Sequence, residues 1–308
     1  MLNIRVTTDR ETVTAAHELV ANDPTVANIV SLTSSGPTDI LFFDVARENA
    51  NPIVAALRDL GIEQNGSITL SEPLTTISVA ADRAEAHAPG HPDDALVWEH
   101  IEEQARGNAR LSWSFVAFLV LATLIASIGR YTDQPILIVG AMVVGPEFAP
   151  IAAICVALIR RRGAPIPQAI ATLALGFLVA GGLTWLLWAL ADLSGWVDYT
   201  AATTGESTQF IVSPDIWSFI IALLAGSAGV LSLTTSKSAA LVGVFISVTT
   251  VPAIACIGLT LAVGAWHEAW SSSVQLAVNL AGLLIAGTAT LAIQRFAWRR
   301  FGGLKSGE

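Results

Sequence analysis

The chain has 308 residues, 53% of them hydrophobic and 13% charged, with a formal net charge of −9 and a mean hydropathy of +0.61. Soluble domains carry roughly 25% charged residues, so much of this chain is too apolar for water. The acidic balance excludes nucleic acid as a partner, because nothing would neutralise phosphates. The two cysteines, Cys155 and Cys256, both lie in apolar runs and exclude a disulfide framework or a CxxC metal site.

Charge is concentrated in residues 1–110, which marks the first domain boundary. Residues 1–82 read as a small α+β unit. Leu2, Ile4 and Val6 alternate as a strand does, and Thr12–Ala21 has helical spacing. Val26–Leu32 and Asp39–Val45 are strand-like runs joined by Ser34-Ser35-Gly36-Pro37, a turn signal. Ile53–Leu60 is a second helix stopped by Gly61, and Ile68 and Leu70 alternate again. The order β-α-β-β-α-β is that of a ferredoxin-like domain, used both for ligand sensing and for assembly. Such domains often pair, so a homo-oligomer is expected. The N-terminus lacks the build of a signal peptide, which predicts a cytoplasmic position for this domain.

Residues 83–110 read as a linker (83–92) and an amphipathic helix over 93–109, capped by Asp93 or Asp94. That helix either lies on the membrane surface or packs beneath the membrane domain. Residues 111–298 then give six apolar segments: Leu111–Gly129, Pro135–Ile159, Ala164–Ala191, Ile216–Ser236, Ser238–Trp266 and Ala269–Gln294. A bilayer core of about 30 Å needs about 20 apolar residues, and each run is long enough. Backbone groups must be paired in lipid, so helices are expected.

Arg106 and Arg110, Arg160–Arg162, Lys237, and the group Arg295, Arg299, Arg300 and Lys305 all fall on one side of a six-span arrangement. That side is the cytoplasm, which places both termini there, with residues 299–308 as a tail. The expected location is a cell (inner) membrane. The other side receives Arg130 with Asp133, the acidic loop Asp192–Asp215, and His267-Glu268. Most tryptophans stand at segment ends, as interface anchors do.

The second and fifth segments resemble each other. Val139-Gly140 and Val242-Gly243 are each followed by apolar residues, then by Pro150-Ile151-Ala152-Ala153 or Pro252-Ala253-Ile254-Ala255, then by Cys155 or Cys256, with one residue skipped. The domain therefore parses as three spans plus three, and an odd number per unit inverts the second unit. Inverted repeats with Gly/Pro-broken spans in matching places are a mark of secondary transporters. Pro146, Pro150 and Pro252 lack an N–H and are expected to break or kink their helices, aiming freed carbonyls and helix ends at a central site. Pro kinks that serve packing alone are the competing reading.

Gly140-Ala141-Met142, Pro146 and Pro150, with Ala228-Gly229, Leu231-Ser232-Leu233-Thr234, Leu241-Val242-Gly243-Val244 and Pro252, resemble a bacterial family of hydrophobic membrane proteins, the domain of unknown function 389 (DUF389). The resemblance covers roughly Leu111–Trp266, with a small N-terminal domain as in some members. It implies a membrane location and a shared fold, and it brings no established substrate. Many members carry an apolar residue at the position of Glu147, so any role for that residue rests on its own chemistry.

Glu147, between Pro146 and Pro150, is the one acid inside an apolar segment. Burying a carboxylate at a bilayer centre costs about 2.5–3.5 kcal/mol, and such residues usually mark ion or proton pathways. A protonated carboxyl bonded to a freed carbonyl is the bland alternative. Gly145, Pro146 and Pro150 surround Glu147, and Ser247, Thr249 and Thr250 before Pro252 occupy the matching region of the other half. Ser232, Thr234 and Thr235 add hydroxyl oxygens, while Gly226 and Gly229 permit close helix approach. The expected function is a proton- or cation-coupled secondary transporter of a small solute or ion in the lipid bilayer. An ion channel and a non-transporting membrane sensor are the alternatives. No GxSxG, HExxH or GxxxxGK[ST] pattern is present, so neither enzyme activity, cofactor nor metal is expected.

Overall fold

The computed structural model describes all residues except 74, 89–97, 109, 162, 210–214, 235–249 and 302–308. The chain divides into two compact units, Met1–Ile101 with the residues from Phe296 on, and Glu102–Arg295.

In the first unit, strand β1 (Leu2–Asp9) is followed by helix α1 (Arg10–Ala21), β2 (Val26–Leu32), β3 (Thr38–Val45), α2 (Ala50–Asp59), the short α3 (Ile62–Asn65), β4 (Ser67–Ser71) and α4 (Val79–His87). The sheet order is β2-β3-β1-β4, with antiparallel neighbours throughout. The alternation read from the sequence fixes the register. Leu2, Ile4 and Val6 face Val45, Phe43 and Leu41 across the β1/β3 pair, and all six are buried. Val13, Ala16 and Val20 of α1 and Ile53, Val54 and Leu57 of α2 complete that core. Asp9 caps α1 by accepting the Thr12 N–H at 3.0 Å. Gly61 ends α2 with φ +76°, a conformation that glycine adopts without strain.

Helix α4 reaches into the stretch read as a linker. Ser78 caps it by accepting the Ala81 N–H, and Ala81 and Ala84 give it a buried face. Alanine is the strongest helix former, and the linker reading underweighted it against the following Pro and Gly. The amphipathic helix is described as α5 (Trp98–Asn108), and its expected caps Asp93 and Asp94 lie outside the described residues.

The second unit contains α6 (Trp113–Tyr131), α7 (Pro135–Val144), α8 (Phe148–Arg160), α9 (Pro165–Leu193), the short α10 (Tyr199–Thr203), α11 (Ile216–Thr234), α12 (Thr250–Ala262) and α13, which runs Trp266–Phe301 across the unit boundary. Among the described residues, four helices (α6, α9, α11 and α13) are long and apolar enough to cross a membrane, or five counting the bent pair α7–α8. The expected segment Ser238–Trp266 falls partly outside the described residues, and its described part, α12, has 13 residues.

Helices α6, α7, α9 and α12 share one core of Phe115, Leu119, Ala122, Ala126, Ala141, Ala180, Val251 and Ala255. In lipid, helices associate through close packing rather than water exclusion, and glycines supply the approach. The Gly176 Cα lies against the Phe115 ring, Gly258 against Thr184, Gly282 against Ala222, and Gly287 against Cys155 and Val230.

Candidate functional site: a buried carboxyl at a helix break

Helix α7 opens with Pro135 at its first position and closes at Gly145. A residue before proline is pushed out of helical geometry, and Gly145 adopts φ −65°, ψ 128°. Pro146 offers no N–H, Glu147 becomes the residue before α8, and the two helices meet at a 51° bend. The break therefore spans Gly145–Glu147, narrower than the Pro146–Pro150 stretch expected. Pro150 is the third residue of α8, where a helix leaves the N–H unpaired in any case. Pro252 is likewise the third residue of α12 as described.

The break turns Glu147 inward. Its side chain is 3% exposed, and Oε1 accepts a hydrogen bond from the Thr250 hydroxyl at 2.7 Å. Oε2 is buried without a hydrogen-bond partner. Gly145 is required here: a Cβ on it would collide with the Glu147 carboxyl and stand 2.7 Å from Val251 Cγ2. The next residue, Phe148, packs its ring on Gly229 of α11, filling the space a Cβ there would need. Gly145, Pro146, Glu147 and Thr250 are thus brought together, with Gly229 close to the same break.

Other expected residues stand differently. Ser232 donates to the Gly229 carbonyl at 2.8 Å and Thr234 to the Leu231 carbonyl at 3.0 Å, and Thr234 also accepts from Gln294 Nε2 at 2.9 Å. Their hydroxyls are spent on their own helix and on α13. Thr235, Ser247 and Thr249 lie outside the described residues.

Sequence reasoning missed a second polar cluster, read above only as part of the outer loops. Arg130, at the end of α6, is completely buried. Nη1 donates to Thr208 Oγ1 and Nη2 to the Thr203 carbonyl, each at 2.9 Å. Thr208 in turn donates to Asp133 Oδ1 at 2.9 Å, and the Ser207 N–H reaches Asp133 Oδ2 at 3.2 Å. Loss of water pushes the Asp133 carboxyl up, but these Thr208 and Ser207 bonds outweigh it and hold the group below the ordinary carboxylate range. Arg130 also neighbours the Cys256 thiol, which meets Ser272 as well. Ser272, Gln275 and Asn279 of α13 are all buried, and their spacing of three and then four puts them on one helix face. The available signal was a lone arginine on the otherwise acidic side, with a polar series inside an apolar run.

These apolar helices, one pair broken around a buried carboxyl, define a helical membrane protein that also carries a small α+β unit. Residues 142–285 match the DUF389 family model, a domain of unknown function. The chain is 24% identical to an uncharacterized protein of Methanocaldococcus jannaschii over 258 residues, covering 82% of this chain and 77% of the relative. No solved structure matches it significantly.

Proposed function

We propose that this protein is a proton- or cation-coupled secondary transporter built from two inverted trios of spans, with Glu147 as the coupling group. The observation that carries the reading is the 2.7 Å hydrogen bond between Glu147, at the start of α8, and Thr250, at the start of α12. These are the segments that resemble each other in sequence. Pro150 in α8 and Pro252 in the described part of α12 are followed by Cys155 and Cys256, offset by one residue. A pseudo-twofold arrangement places such segments back to back at the midplane, where carriers bind solute.

Energetics supports a functional role. Placing a carboxylate at mid-bilayer costs about 2.5–3.5 kcal/mol, and one ordinary hydrogen bond returns about 0.5–1.5 kcal/mol. The balance is unfavourable, and Oε2 remains unpartnered, so stability does not account for this residue. A carboxyl that alternately holds and releases a proton or cation does. On this reading the protein is a multi-pass inner-membrane protein with both termini cytoplasmic and no enzymatic role. Its N-terminal unit, with sheet order β2-β3-β1-β4, serves as a ferredoxin-like regulatory or assembly domain, and a homo-oligomer forms through it.

The test uses purified protein in liposomes loaded with a pH-reporting dye and exposed to fractions of small-molecule extract. Solute-dependent proton movement is expected for the wild type and is lost in Glu147→Gln, with size-exclusion profile and helix content unchanged. Equal rates and equal pH dependence in the variant would remove the coupling role. Single-channel conductance in a planar bilayer would put a channel in place of the carrier.

A further inference from the structure

We infer that the second polar cluster is an anion-recognition site, with Arg130 as its charge, and that the carried solute is a small anion bearing carboxylate or oxyanion oxygens. The inference deepens the transport reading and rests on it.

The argument begins with the guanidinium's partners. Arg130 is 0% exposed, yet its two bonded nitrogens reach only neutral oxygens, those of Thr208 and Thr203. Among the described residues no carboxylate forms an ion pair with it. Asp133 is one hydrogen bond further off, through Thr208. Glu268, at the start of α13, acts electrostatically on the neighbouring Cys256 without pairing with Arg130. Buried charges are ordinarily paired, because desolvation costs several kcal/mol per ion. The C-terminal end of a helix, where Arg130 sits, favours a cation but leaves its hydrogen-bonding capacity unused.

Arg130 Nε and the Ser272 hydroxyl are buried with no oxygen or nitrogen partner, and what both side chains meet is the Cys256 thiol, a weak hydrogen-bonding group. Gln275, one turn along α13, is 1% exposed and has a buried, unpartnered Oε1. If Arg130 merely tied the 203–208 stretch to α6, its nitrogens facing that stretch would suffice. The Nε is left over from that role, and the Arg130 side chain shares the surroundings of Cys256 with the Ser272 hydroxyl. A guanidinium edge beside a hydroxyl is the chemistry that holds an anion with two or more oxygens.

The position fits the proposed coupling. Thr250, partner of Glu147, and Cys256, neighbour of Arg130, are six residues apart on α12, about 9 Å at 1.5 Å per residue. A proton carrier and an anion-recognising cation that both adjoin one helix can move an anion together with a proton, without net charge.

The experiment uses the full-length protein in detergent, at constant ionic strength set with sodium chloride. Sodium phosphate, sulfate, bicarbonate and acetate are titrated while the unfolding temperature is recorded. We expect a saturable rise with at least one of them. Ser272→Ala, which removes one charge-assisted hydrogen bond and no volume of note, should raise its half-saturation about ten-fold. Arg130→Gln should abolish the shift, and Glu147→Gln should keep it. The proposal is overturned if none of the four anions shifts the wild type, or if Ser272→Ala responds as the wild type does, a readout that survives should Arg130→Gln fail to fold. Anion binding without dye-detected uptake would refute the transport reading and leave the site standing. Uptake of a solute that none of these anions affects would refute the site and leave transport standing.

Discussion

Replacing Thr250 by valine removes one hydroxyl, keeps the side-chain shape, and tests the contact between α12 and the break that precedes α8. The Thr250 hydroxyl stands 2.7 Å from Glu147 Oε1, Thr250 is completely buried, and the other carboxyl oxygen already lacks a partner. After the substitution neither oxygen is satisfied. Loss of a neutral hydrogen bond costs about 0.5–1.5 kcal/mol, and loss of one to an ionised acceptor about 1.5–3 kcal/mol. The size of the effect therefore also reports the charge on Glu147 in the resting protein. The extra buried methyl of valine offsets part of the loss, so the single variant is ambiguous and a double-mutant cycle is needed. Thr250→Val, Glu147→Leu and the combination are unfolded in mixed micelles by titration with sodium dodecyl sulfate, with helix content followed by circular dichroism. A coupling energy of about 1–2 kcal/mol is expected for a contact of this kind. Additivity to within about 0.3–0.5 kcal/mol would mean that the bond contributes nothing, and the observation that carries the proposed function would fall.

Gly229→Val sets a side chain against the Phe148 ring; overpacking of this kind costs about 1–3 kcal/mol, read as a lower unfolding temperature in detergent, with recovery expected in the Gly229→Val/Phe148→Ala double variant. Phe43→Ala empties the centre of the N-terminal core and should cost about 3–5 kcal/mol, seen as faster amide exchange in β1, β3 and α1 while the membrane helices keep their protection. Acid should loosen the same unit. The Asp9 carboxyl is held below its ordinary value of 3.8 by the Thr12 backbone N–H, and that of Asp39 by the Ser34 N–H and Arg10. Both pKa values are lower folded than unfolded, so their contribution is full above pH 3.8 and is lost as pH falls below it. Exchange protection of β3 measured from pH 6 down to pH 2 should fall less steeply in Asp39→Asn.

The N-terminal unit was legible because its signals are local. The period-two alternation of Leu2, Ile4 and Val6 sets which face of β1 is buried, and once that face is set, pairing with Leu41, Phe43 and Val45 follows from the pleat. The helix break was legible in part. A proline after a glycine announces an interruption, but its extent depends on where the next helix begins. Pro150 turned out to be a first-turn residue rather than a breaker, because proline's missing N–H matters only beyond the first turn.

The Arg130 cluster shows why the remainder was not legible. Topology rules count charges beside apolar segments and treat each as solvated, and a single arginine beside Asp133 reads as an ordinary outer-loop residue. Whether such a charge is solvated depends on what folds over it. Here that is the short α10 with Thr203, and Thr208, some 70 positions further along the chain than Arg130, a relation that periodicity does not encode. The polar series Ser272, Gln275 and Asn279 has the same difficulty. On an isolated helix it marks a face, but nothing local says whether the face meets lipid, water or protein. Its burial resolves this: lipid would not tolerate the series and water would have hydrated it. Buried polar groups left without partners are rare in settled cores. Arg130 and Ser272 meet at Cys256, about 9 Å along α12 from Thr250, the partner of the under-satisfied Glu147, and it is on this arrangement that the proposal of solute exchange rests.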